Sequence, residues 1–340
     1  MNDRRPTLHD VAAEAGVSIK TVSRVVNGSE QVSPDLRLHV QDVVDRLNYV
    51  PNTLARSLKA GTGDTIGVVI DTIADPFFAA LTSAVESTAL ESGLNVVFGS
   101  TGYVPERERS QIERMAMQQV RGLVLAPVLG NHEYLARFRG SFPIVLVDRS
   151  FEIDGYDTVV VDDRGATRDA IGHLLARGHR RIAFVGRDER FPTTSDRLDG
   201  YHDALHAAGI PVDPLLAPRG QAEEDAAERA VHDLLGTDDG PTAIFSANPR
   251  ASLGVVHALH ELRRTDVALV SFGDFPLART LEPAVTCVDQ DPHRIGAVAT
   301  TQLLRRLGFD EGRDRIGPAE RVVVPAALIA RGSGEIEVPR

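Results

Sequence analysis

The sequence predicts an α/β chain: a small helical head, a short linker, and a large core of parallel sheets in two subdomains. Three observations carry this reading. Helical periodicity fills residues 7–47, and from Thr65 it gives way to short apolar runs alternating with helical segments. That alternation breaks and restarts near residue 160. Strand–helix alternation implies parallel strands covered by helices, and the restart implies two such units. At 340 residues the chain is long enough for two or three domains.

The head begins at TLHDVAAEAGVSIKTVSRVVNG. Thr7 with Asp10 three residues on is a capping-box-like start, because the hydroxyl can accept a bond from a free N–H of the first turn. Leu8, Val11, Ala12 and Ala15 recur at helical spacing, and Gly16 supplies a left-handed turn position. Ser18 is a suitable N-cap for a second helix, in which Val22, Val25 and Val26 face inward while Ile19, Lys20 and Arg24 share the outer face. Asn27-Gly28 ends it. Two short helices joined by a Gly-containing turn describe a helix-turn-helix. Ser33-Pro34 starts a third helix with the stripe Leu36, Val40, Val43, Val44 and Leu47, which Pro51 stops. Asn52 can cap the segment 53–58, but its apolar residues are too few for it to persist alone.

The stretches DVAAEAGVSIKTVSRVVNG, VSP and LNYVPNTLARSL closely resemble the head and hinge of lactose-repressor-type (LacI/GalR) transcription regulators. The resemblance implies that Ile19, Lys20 and Arg24 read bases in the major groove and that Ser18, Thr21, Ser23 and Asn27 mainly contact phosphates. It implies a hinge helix carrying Ala55 and Leu58, with Leu58 wedged into the minor groove. Residues 1–60 hold eight Lys/Arg against seven Asp/Glu, whereas the remaining 280 hold 29 against 41. An acidic body repels DNA, so contact is expected through the head, by the placement of Arg4, Arg5, Lys20, Arg24, Arg56 and Lys59.

In the body, TIGVVID, LNVVFGS, GLVLAP, PIVLVD, DTVVVD, RRIAFVG, AIFSA and VALVSFG read as strands. Between them PFFAALTSAVESTALESG, ERERSQIERMAMQQV, GATRDAIGHLLARG, RLDGYHDALHAAG and ASLGVVHALHELR read as helices, the ERERSQIER run as a solvated face. Ligands of open α/β sheets sit at the carboxyl ends of strands, which selects Arg149, Asn248, Asp274 and Gln290 among the residues following them. These hydrogen-bonding groups, with two nearby aromatics, suit a polar small molecule. The resemblance extends here through the DxxxxPFF element that runs from Asp71 to Phe78, SDRLDGY, ARGHRRIAFVG and VDQDP, and implies a core like periplasmic sugar-binding proteins with an effector between subdomains. It implies that Phe77 lines the cleft, that Arg197 anchors hydroxyls or a carboxylate, and that Gln290 lies near the hinge. Asn248-Pro249 departs from the family's usual Asn-Asp and Gly273-Asp274 from its usual paired acids, which leaves the effector class open.

The expected division is 1–51 for the head, 52–63 for hinge helix and linker, and 64–340 for the core. Within the core, one subdomain takes about 64–160 plus 291–319 and the other about 161–290 plus 320–331. No apolar run approaches a membrane span and none follows MNDRRP, so a cytoplasmic protein is expected. Cys287 is the only cysteine, which excludes an intrachain disulfide and any multi-cysteine metal site. GTGDT lacks the Gly-Lys-Ser/Thr of a phosphate loop, and HELRR lacks the second histidine of a zinc helix. The pairs His202/His206 and His257/His260 have ligand-like spacing without a third ligand type nearby, so neither metal nor cofactor is expected. The C-terminal LIARGSGEIEVPR has no leucine heptads for a coiled coil. An enzyme lacks any nucleophile elbow or metal-hydrolase motif, and a transport-type binding protein lacks the need for a head. The expected function is a homodimeric, sequence-specific DNA-binding repressor that recognises a pseudo-palindromic operator in double-stranded DNA. A small polar effector, by resemblance a sugar or sugar derivative, is expected to control it.

Overall fold

The computed structural model describes residues 6–26, 29, 31–49, 63–128, 131–149, 151, 153, 155–186, 188, 190–309 and 317–338. The chain divides into two compact units, Met1–Gly63 and Asp64–Arg340.

In the first unit α1 spans Leu8–Glu14, α2 Ile19–Val26 and α3 Pro34–Arg46. The Thr7 N–H donates to Asp10 at 2.7 Å and the Asp10 N–H to the Thr7 hydroxyl at 3.4 Å, the reciprocal pair that satisfies two free helix-start donors. Gly16 takes φ +63° in the turn, a value that costs other residues energy. Ser18 accepts the Thr21 N–H at 3.1 Å. Ser33 stands at the N-cap of α3 but makes no side-chain cap bond. Val11, Ala12, Ala15, Val22, Val25, Val40, Val43 and Val44 form the core, closed by Tyr49. Leu36, Leu47 and Val26, expected inside, lie at its margin.

The second unit has two sheets. The first contains β1 (Thr65–Ile70), β2 (Asn95–Ser100), β3 (Leu123–Leu125), β4 (Ile144–Val147), β5 (Asp157–Val161) and β10 (Arg321–Val324), in the order β10-β5-β4-β3-β1-β2. All its pairings are parallel. Helices α4 (Pro76–Glu91), α5 (Pro105–Met117) and α10 (Pro292–Leu307) cover it. The second contains β6 (Ile182–Val185), β7 (Ala243–Ser246), β8 (Ala268–Phe272), β9 (Thr286–Asp289) and β11 (Ala327–Ile329), ordered β11-β9-β8-β7-β6 with only β11 antiparallel. Its helices are α6 (Asp163–Ala176), α7 (Pro192–Ala207), α8 (Glu224–Leu235) and α9 (Pro249–Glu261). Parallel strands buried on both faces need continuous apolar runs, which β3, β4 and β6 supply without one exposed residue.

Three crossings join the two lobes: Asp162 between β5 and α6, Gln290–Asp291 between β9 and α10, and residues 325–326 between β10 and β11. Ala326 packs against the cores of both lobes. The last crossing corrects the expected boundary at 320. β10 pairs with β5 in register Val322↔Val159 and so extends the first sheet, and only at 327 does the chain enter the second.

A further correction concerns ERERSQIER. Glu108 is buried, where its carboxylate accepts the Val128 N–H and the Tyr134 hydroxyl and lies 3.3 Å from His132. The buried backbone donor at Val128 requires that acceptor.

Candidate functional site

On the head, Ser18, Ile19, Lys20, Thr21, Ser23 and Arg24 run from the turn along the outer side of α2. Val22 and Val25 hold its other side to the core. Ile19 is 41 % exposed, an apolar side chain left at a helix start beside Lys20. The Ser18 hydroxyl is shared between the Thr21 N–H and the Thr21 hydroxyl, at 3.1 and 2.9 Å. Asn27, Ala55 and Leu58 lie outside the described residues.

In the core, the carboxyl ends of both sheets face a cavity of about 430 Å³ lined from both lobes. The first lobe contributes Asp75 and Phe77 from the start of α4, Tyr103 from the turn after β2, and Arg149 after β4. The second lobe contributes Phe191, Arg197, Asn248, Pro249 and Arg250, and the crossing contributes Gln290. Thus Phe77, Arg149, Arg197, Asn248 and Gln290 converge on one space although they are up to 213 positions apart in sequence.

Each polar member is held by a specific arrangement. The Asp75 carboxylate caps α4 by accepting the Phe77 N–H at 2.9 Å, and burial pushes its pKa up to about 6. Arg149 is buried, pairs with Asp71, donates to the Pro127 carbonyl at 2.9 Å and places its guanidinium 4.6 Å from the Phe191 ring centroid. Burial raises the Asp71 pKa, and the Arg149 cation pulls against it. Phe191 also meets Tyr103 edge-on at 5.3 Å, so one aromatic ring of the second lobe contacts two residues of the first.

Arg197 donates to Asp163 at 2.6 Å and to the Ala247 carbonyl at 2.7 Å, with its guanidinium 4.0 Å from the Phe272 ring centroid. Its Nη2 has no hydrogen bond among the described residues. Burial pushes Asp163 up to about 7 against the pull of Arg197. Asn248 caps α9, its side-chain oxygen accepting the Ala251 N–H at 2.8 Å, which commits the oxygen and leaves the amide N–H groups to the cavity. Gln290 is only 3 % exposed, and among the described residues its amide has no hydrogen-bond partner.

Asp274 is a correction. It does not line the cavity: Arg331 grips both its oxygens, at 2.8 and 2.7 Å, and those hydrogen bonds lower its pKa. The two departures in sequence meet in space. A Cβ at Gly273, where φ is +92°, would lie 2.7 Å from the Pro249 ring. The proline therefore fills the space beside a residue that has no side chain. Sequence reasoning missed Asp75, Tyr103, Phe191 and Arg250. Asp75 carried a signal, an acid directly before the helix-starting Pro76.

A helix-turn-helix head, followed by a two-lobed core with a polar cavity at its strand ends, defines a ligand-responsive DNA-binding regulator. Residues 7–52 match the description "Bacterial regulatory proteins, lacI family", and residues 171–334 match "Periplasmic binding protein-like domain". Catabolite control protein A of Priestia megaterium is 32 % identical over 304 residues, covering 88 % of this chain and 92 % of that one. Among solved structures, a transcriptional regulator CelR–cellobiose complex matches with TM-score 0.69 and 30 % identity, over 97 % of this chain and 100 % of the other. The Lac repressor dimer bound to operator and the anti-inducer ONPF matches with TM-score 0.82 and 26 % identity, over 97 % and 99 %. The chain belongs to the LacI family of bacterial transcription regulators. Among the described residues no helix is long and apolar enough to cross a membrane.

Proposed function

We propose that this protein is a homodimeric repressor whose operator binding is controlled by a polar, hydroxyl-rich effector, a sugar or sugar derivative, held between the two core lobes. The observation that carries the reading is the uncommitted hydrogen-bonding capacity in the cavity: the Gln290 amide, the Asn248 amide N–H groups and Arg197 Nη2. Flat aromatic surfaces at Phe77 and Phe191 stand beside these groups. A polyol offers both donors and acceptors to such a site and an apolar face to its rings. The volume of about 430 Å³ is in the range of small-molecule sites.

Ser18, Ile19, Lys20, Thr21, Ser23 and Arg24, with Asn27, Ala55 and Leu58 from the sequence, form the DNA-contacting set in this reading. Phe77, Arg149, Arg197, Asn248 and Gln290 form the effector set. The solved relatives support it in kind, one bound to cellobiose and one a dimer on operator DNA. A thermal-shift screen of mono- and disaccharides and their phosphates, followed by footprinting with and without each hit, tests the proposal. A hit that raises the melting temperature and changes a two-half-site footprint is expected. A footprint confined to one asymmetric half-site at full affinity, or no saccharide hit, contradicts it.

A further inference from the structure

Away from the cavity, α8 and α9 lie side by side at very close range. A Cβ at Gly254 would overlap the Glu224 carbonyl, and the facing positions are small: Ala227, Ala251 and Ala258. This contact aligns two i,i+4 pairs, Glu228/His232 on α8 and His257/Glu261 on α9. His232 Nε2 lies 3.2 Å from Glu261, and His257 Nδ1 lies 2.9 Å from Glu228. One ligand atom each from Glu228, His232 and Glu261 falls within 4.8 Å of the other two. His257 Nε2 stands 3.8 Å from the second oxygen of Glu261.

We propose that Glu228, His232 and Glu261 form a surface site for a divalent transition-metal ion such as zinc, with His257 orienting the Glu228 carboxylate. Zinc takes nitrogen and carboxylate oxygen at about 2.0–2.2 Å, so ligand atoms around a tetrahedral ion stand roughly 3.3 Å apart. The His232–Glu261 separation of 3.2 Å is already that edge, and small side-chain rotations bring Glu228 to the third corner. One imidazole and two carboxylates neutralise the ion's charge and leave its fourth position to water. A ligating carboxylate is commonly hydrogen-bonded by a further side chain, the part His257 plays here. The ligands are partly exposed, which gives the ion an entry path. They project from two packed helices, which holds two of the donors in place before the metal arrives. Occupancy would fix the spacing of α8 and α9, whose N-cap residues Glu223 and Asn248 both line the cavity.

The test uses the full chain stripped with chelator and titrated with zinc by calorimetry, with cobalt(II) absorption as a second readout. Wild-type protein is expected to bind one ion per chain and to show the visible bands of a low-symmetry cobalt site. His232→Ala and Glu261→Gln should each weaken binding more than ~10-fold, and His257→Ala by about 10-fold, in the range for residues that orient a ligand. His202→Ala should leave the titration unchanged. Apo melts equal to wild type would show that these surface substitutions leave the fold intact, and a His232→Gln variant supplies a second check. Wild-type titrations in His232→Ala and Glu261→Gln, or no wild-type binding at 100-fold zinc excess over ~1 μM protein, would overturn the site.

Discussion

Arg197 is committed on two sides, to Asp163 and to the Ala247 carbonyl, and open to the cavity on the third. Arg197→Ala should abolish effector binding in calorimetry, but it also strands a buried carboxylate, a loss of about 3–5 kcal/mol when a buried pair is broken. The double variant Arg197→Ala/Asp163→Asn should recover much of the melting temperature without recovering effector affinity. Wild-type affinity in either variant would remove Arg197 from the site. The two raised acids make a pH prediction. Asp75, with a pKa of about 6, lines the cavity, and Asp163, at about 7, holds Arg197 in its ionised form. A hydroxyl donating to Asp75 favours the carboxylate, so effector affinity should fall as pH drops through 7 and then 6. Asp75→Asn should remove the lower step and keep the upper. The sign for stability is opposite. Folded pKa values above the unfolded ones mean that the ligand-free protein loses stability from these two groups as pH rises from about 4 through 7.

The outer side of α2 and the contact between α8 and α9 are features of elements. Arg24→Ala should cost ~1–3 kcal/mol on operator DNA and relax one base position per half-site, measured against a panel of operator variants. Uniform loss on all sequences would make Arg24 a phosphate contact. Gly254→Ala gains about 1 kcal/mol of helix propensity but drives a methyl into a carbonyl on the neighbouring helix, an overpacking cost of about 1–3 kcal/mol. A lower melting temperature is expected, and an unchanged one would show that the helices separate freely. At this scale the sequence was most legible where periodicity and caps agreed, as with Thr7/Asp10, Gly16 and the run PFFAALTSAVESTALESG that became α4. EDAAERAVHDLL escaped recognition because its buried stripe is only Ala227, Ala230 and Val231, too weakly apolar to stand out. The strand-end rule points to Arg149, Asn248 and Gln290, and the resemblance adds Phe77 and Arg197, all of which line the cavity, yet the rule cannot tell which way a side chain turns. Asp274 turned to an arginine 57 positions on. Phe191 and Tyr103 were hidden for the same reason, since their pairing depends on how two lobes face each other.

On the scale of the whole molecule, the two lobes are interleaved in sequence, with the chain passing between them at 162, at 290–291 and at 325–326. Each sheet receives its final edge strand within the last twenty residues: β10 completes the first and β11 the second. This arrangement dictates an order of events during synthesis. Among the described residues the head's core draws on residues 8–49, and it is complete early. The lobes depend on pairings that span most of the core, such as Val322 with Val159, and such long-range contacts form late. The first lobe lacks its full sheet until the ribosome has released residue 324, and the second until residue 329. A nascent chain stalled at 320 should therefore carry a protease-resistant head and a protease-sensitive remainder, and extension to 340 should protect both lobes together.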